Sequence, residues 1–150
     1  MKKIHLNKSI LKGFTLIELL VVISIIGILI GLSVFGLQGA RESSRDARRK
    51  SDLEMIRSGL EIYKADCDVY PTTISTTLIG DGSVSSCEAS NTYIQTIPSD
   101  PLSPESSYIY SSDGVSYRIC ATLEQTPSPA VDTTGCGSCT TACNYKVTNP

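Results

Sequence analysis

Lys12-Gly13-Phe14-Thr15-Leu16-Ile17-Glu18-Leu19-Leu20-Val21-Val22-Ile23 opens the apolar run that decides the fold of this 150-residue chain. From Phe14 to Leu37 there are 24 residues, and Glu18 is the only charged one. As a helix, at about 1.5 Å per residue, the run spans roughly 36 Å, enough to cross a bilayer's hydrocarbon core. A carboxylate inside such a helix costs on the order of 2.5–3.5 kcal/mol unless it is paired. A cut just before Phe14 supplies the partner, a free α-amino group. In a helical stack of identical copies, Glu18 of one copy then neutralises the amine of the next. The plain alternative is a single-pass anchor with an incidental glutamate, but intramembrane carboxylates are rare and usually functional.

The segment before the run carries Lys2, Lys3, Lys8 and Lys12 and no acid. Residues 1–13 therefore read as a basic leader, outside any fold argument. Removing them from 13 basic and 15 acidic residues leaves nine basic and a formal charge of −6. That is a poor footprint for general nucleic-acid binding. Arg41, Arg45, Arg48, Arg49 and Lys50 crowd the far flank of the apolar run, so the positive-inside count comes close to a draw.

Ala40 to Asp66 contains no proline and is rich in helix formers. Leu53, Ile56, Leu60 and Tyr63 recur at spacings of three and four and share one face, while Arg57, Glu61 and Lys64 read as a solvated face. One continuous helix of about fifty residues is expected, ending before Pro71. Gly27 and Gly31 form a small-xxx-small pair of the kind that packs membrane helices. Thr72 to Ser107 reads as loop, with a short helical turn around Asn91–Ile97. Ser107–Ser111 and Val115–Leu123 alternate apolar and polar residues around Asp113-Gly114, a favoured two-residue turn, and predict a hairpin. Asn144–Thr148 predicts a third short strand. The fold expected is α+β: a long N-terminal helix packed against a small antiparallel sheet.

The stretch from Lys12-Gly13 through Phe14 and Glu18 to Ile23 resembles the type IV pilin and type II secretion pseudopilin family. In that family a prepilin peptidase cuts after the glycine and N-methylates the next residue, and the fifth residue after the cut is glutamate. Gly13, Phe14 and Glu18 fit position by position. Tyr93–Pro101, before Tyr108-Ile109-Tyr110, is similar to the loop preceding the hairpin in major pseudopilins. Two departures stand out: no tryptophan follows the Asp100-Pro101 pair, and Phe35 stands where many pilins carry a helix-kinking proline. The resemblance implies a leader over 1–13 and a transmembrane or filament-core helix over 14–37. It also implies an extracytoplasmic head over 38–150, comprising 38–66 (the rest of the helix), 67–106 (loop) and 107–150 (sheet and cysteine-rich tail).

No catalytic residue is expected. The only histidine, His5, lies in the leader, so a mature chain has no Ser-His-Asp or Cys-His relay, and phosphate- and dinucleotide-binding motifs are missing. Six cysteines, Cys67, Cys87, Cys120, Cys136, Cys139 and Cys143, fit a small head in an oxidising compartment outside the cytoplasm. They allow fifteen connectivities. The expectation is Cys67–Cys87, with Cys120 joined to one tail cysteine and the other two to each other. Zinc is the rival, since Cys136-Gly-Ser-Cys139 has ligand-like spacing. Some secretion pseudopilins bind calcium, and Asp100, Asp113 and Asp132 are the candidates here, but their spacing matches no ligand set. No cofactor or metal is expected.

The function expected is a structural subunit of a type IV pilus, cut after Gly13 and polymerised through its apolar helix. Its partners are further copies of itself, the prepilin peptidase, the inner-membrane assembly machinery and the membrane. The Pro98–Pro101 loop leans toward the alternative, the major pseudopilin of a type II secretion system; the cysteine-rich tail leans toward the pilin and tips the balance. A further alternative is a minor or competence pilin that captures DNA through Arg45, Arg48, Arg49 and Lys50, although nucleic acid is not an expected partner at −6. The expected location is a single-pass membrane protein with its head outside the cytoplasm, then a pilus at the cell surface or a periplasmic pseudopilus.

Overall fold

The computed structural model describes residues 13–139 and 141–150. The expected leader, Gly13 excepted, lies outside the described residues. Among the described residues, one helix and seven strands follow in order: α1 (Leu16–Cys67), β1 (Leu78–Ile79), β2 (Thr92–Ile94), β3 (Ile109–Ser112), β4 (Tyr117–Ala121), β5 (Ser138–Cys139), β6 (Thr141–Ala142) and β7 (Tyr145–Thr148). The chain divides into two compact units, up to Gly39 and from Ala40 to Pro150. The layout is α+β and pilin-like, with a long helix and small antiparallel sheets.

In the first unit, α1 is apolar on all sides, and its large apolar side chains from Leu16 to Val34, with Leu37, are exposed. The two serines on this stretch hide their hydroxyls by donating to the carbonyl four residues back, Ser24 to Leu20 and Ser33 to Leu29, each at 2.8 Å.

In the second unit, Asp46, Arg49, Leu53, Ile56, Leu60, Tyr63 and Cys67 follow one another at three- and four-residue spacing and are all buried. Against this stripe lies the three-stranded sheet, in the order β3-β4-β7 and antiparallel throughout. Its inner face supplies Tyr117, Ile119, Ala121 and Val147 to the core. Each fully buried leucine or isoleucine contributes about 1.5–3 kcal/mol over an exposed one. The helix stops where Asp68 takes a left-handed φ of 63°, with its N–H donating to the Lys64 carbonyl at 3.0 Å. Pro71 forbids resumption.

The structure corrects several expectations. Asn91–Ile97 is not a helical turn: Thr92–Ile94 is a strand paired with Leu78–Ile79. Gly59 permits this, because a Cβ there would lie 2.3 Å from Cγ1 of Ile94, so only glycine lets the strand press onto the helix. The hairpin turn has four residues rather than two, since Ser112 pairs with Tyr117. Asp113 closes it by accepting from the N–H groups of Val115 and Ser116 at 2.9 and 2.7 Å, and Gly114 supplies a φ of 86°. Val115, expected to begin the second strand, is therefore 76% exposed at the tip. The β5–β6 ladder in the tail carries no strand signal in the sequence. Glu61 is not simply solvated: its two carboxylate oxygens accept the hydroxyls of Tyr70 at 2.9 Å and Tyr117 at 2.8 Å.

Candidate assembly site

Phe14, Thr15 and Glu18 sit at the start of α1. Thr15 stands just before the first helical residue, and its Oγ1 accepts the Glu18 N–H at 3.3 Å. Its hydroxyl donates to Glu18 Oε2 at 3.4 Å. This is a Thr-x-x-Glu cap of the kind that satisfies helix-start donors, and it places the carboxylate at the positive end of the helix dipole. The sequence reading took Glu18 as a charge awaiting a partner and missed this local role, although Thr15 three residues upstream was the signal. A threonine hydroxyl does not neutralise a carboxylate, and among the described residues no cation pairs with Glu18, which is exposed amid apolar side chains.

In the head, an ion cluster ties the helix to two distant loops. Arg49 is 1% exposed. Its guanidinium donates to both oxygens of Asp100, at 2.8 and 3.0 Å, to Asp46 at 2.7 Å and to Glu124 at 2.8 Å. Arg45 adds a bidentate pair with Glu124. Asp46 in turn accepts the N–H groups of Glu124 at 2.9 Å and Gln125 at 2.8 Å. The hydrogen bond from Arg45, opposed by burial and reinforced by Arg49, holds the Glu124 carboxyl down at about 2. At Asp100 burial pushes the carboxyl up, but the Arg49 guanidinium and the Leu102 N–H outweigh it and the net shift is downward. Bonding to Asp100 pushes the Arg49 guanidinium up despite burial, which keeps it charged. Sequence reasoning offered Arg45 and Arg49 to nucleic acid; they turn inward to carboxylates. The missed signal was the spacing, since Asp46 and Arg49 continue the Leu53–Ile56–Leu60 stripe into the core.

The six cysteines form three disulfides: Cys67–Cys87, Cys120–Cys136 and Cys139–Cys143. The sulfurs proposed as zinc thiolates are thus tied up in pairs. Cys120 leaves the outer face of β4, where it is fully buried beneath the tail with Cys136, Cys139 and Cys143. Of the calcium candidates, Asp100 is held by Arg49, Asp113 closes the hairpin and Asp132 accepts from Thr134 and Lys146. The structure does not gather these three into one site. The molecule offers an exposed apolar helical segment carrying one carboxylate, and a head tied together by an ion cluster and three disulfides.

Residues 12–34 match the model of the prokaryotic N-terminal methylation motif, and residues 37–124 match that of type II secretion system (T2SS), protein G. Among curated relatives, the type II secretion system core protein G of Escherichia coli is 44% identical over 62 residues, covering 41% of this chain and 43% of the relative. The protein of the same name from Dickeya chrysanthemi is 44% identical over 62 residues, 41% of this chain and 40% of its own. That from Pseudomonas aeruginosa is 39% identical over 61 residues, 41% and 43%. The chain thus spans less than half the length of the curated relatives it matches. No solved structure matches it significantly.

Proposed function

The chain belongs to the type II secretion system protein G family, and from that membership we propose that it is the major pseudopilin of such a system. The observation that carries the reading is the protein G match over most of the head, joined to a methylation motif on the apolar helix. The cysteine-rich tail points to a type IV pilus instead, but it is a narrower feature than a match over residues 37–124.

On this reading a prepilin peptidase cuts after Gly13 and methylates Phe14. The 14–37 helix waits in the inner membrane with the head, 38–150, outside the cytoplasm. The assembly machinery then draws it into a periplasmic filament, where apolar helices bundle and Glu18 of one copy meets the new α-amine of another. Transfer from lipid to a helix bundle gains little hydrophobic energy, so packing and this charge pair supply the specificity.

The test is intact mass with N-terminal fragmentation, on protein recovered separately from membranes and from sheared extracellular material. A chain starting at methylated Phe14, with the mass deficit of three disulfides and confined to the envelope, supports the pseudopilin. The same chain in sheared filaments returns the reading to a pilus. An uncut chain overturns both.

A further inference from the structure

Beyond its buried stripe, the head half of α1 carries a second, outward one. Arg41, Arg48, Met55 and Ile62 recur every seven residues and all are exposed, with Asp66 four residues beyond Ile62. Met55 and Ile62 stand at 47% and 56% exposure beside a groove that also takes in Gly59, Tyr93 and Ile94. Two exposed apolar side chains on one helix face need a cover.

The charges along the stripe say what that cover is. Residues 40–50 hold five basic and two acidic side chains, and residues 51–68 hold two basic and five acidic. Among the described residues Arg41 enters no salt bridge, and Asp66 receives the Tyr93 hydroxyl at 3.1 Å but no cation. The helix thus has a free positive charge at one place and a free negative charge 25 residues on. The same displacement aligns the apolar residues. Ile30, Leu37 and Arg41 are spaced by seven and four, and so are Met55, Ile62 and Asp66. Ile30 and Leu37 are also exposed.

We propose that the Met55–Ile62–Asp66 face is the docking site for α1 of a second copy, parallel and displaced by 25 residues. Ile30 then meets Met55, Leu37 meets Ile62 and Arg41 meets Asp66. At about 1.5 Å per residue the displacement is roughly 37 Å along the helix. Parallel orientation follows because every copy enters the membrane by the same segment. The inference rests on the filament reading and adds its register. Matching charges select that register against neighbouring ones, where Arg41 would face Ile62 or Met55.

The experiment uses the full chain in cells that assemble it. A photo-crosslinking residue in place of Ile62 should join a second copy, and trypsin should release peptide 58–64 bonded to peptide 14–41. Arg41→Asp and Asp66→Arg should each lower filament yield about tenfold or more, and the pair together should restore it. Arg41 is exposed and Asp66 half-buried, and retention of all three disulfides on a non-reducing gel shows that each head has folded. Filaments of the Ile62-probe chain that crosslink elsewhere, or single reversals that assemble normally, overturn the register and leave the filament standing. A wild-type chain that is processed but never polymerises overturns both.

Discussion

Arg49 and Asp100 form a two-pronged ion pair, 2.8 and 3.0 Å, with both side chains almost wholly removed from solvent. It joins the base of the head helix to the loop before the hairpin, 51 residues away. Desolvation makes such a pair a weak source of net stability but a costly one to break. Arg49→Met should destabilise the head by about 3–5 kcal/mol, because Asp46 and Asp100 remain buried without their cation. Arg49→Lys should recover only part, since an ammonium has no fork to offer. Thermal unfolding of the full chain in detergent measures both.

The same cluster sets an acid limit. The folded-state pKa of Glu124, about 2 against its ordinary 4.5, means that its contribution is complete above the ordinary value. It is lost as pH falls toward 2, and Asp100 shifts in the same direction. The unfolding midpoint should therefore hold steady down to about pH 5 and fall steeply below. A flat profile to pH 2 would show that the cluster does not couple to folding.

Alkali should act through the tyrosines. Burial first, and the Glu61 hydrogen bond second, push Tyr70 up to about 12, and burial pushes Tyr110 up to about 12 as well. A folded pKa above the unfolded one gives stability that is full below the ordinary tyrosine value and lost as pH rises through the folded one. The share of tyrosinate absorbance that is lost in Tyr70→Phe and Tyr110→Phe should appear in the wild type together with loss of near-ultraviolet dichroism, not before it.

Gly59→Ala exchanges a poor helix former for a good one, worth about 1 kcal/mol in isolation. Here the new methyl would meet Ile94, so the sign should invert to a net loss of about 1–3 kcal/mol. Trimming the obstacle, in Gly59→Ala with Ile94→Val, should return part of it. The double-mutant cycle reads the coupling.

Glu18→Ala should leave membrane insertion intact and lower filament yield, as counted by electron microscopy of overexpressing cells. Normal yield would sink the charge-pairing idea, and Thr15→Ala provides the control for the local cap alone.

The helix was legible because its two halves follow simple rules: an unbroken apolar run, then a three-four stripe. The sheet was legible from alternation, with its limits set by the turn, where Asp113 recruits Val115 and Ser116 into the loop. Thr92–Ile94 was not legible, because a three-residue strand has too little pattern and its cause is a close approach to Gly59 on another element. The ion cluster was half visible. Asp46 and Arg49 lie on the core stripe, but nothing local to Asp100 or Glu124 announces their partner 51 or 75 residues distant.

The disulfide order carries a consequence for biogenesis. Read from the N-terminus, the first cysteine bonds the second, the third the fourth and the fifth the sixth. On the proposed topology, a head translocated N-terminal end first can thus be oxidised by a catalyst that joins each cysteine to the next one emerging. No shuffling enzyme is required to correct the order, and export and covalent closure can proceed as a single directional event.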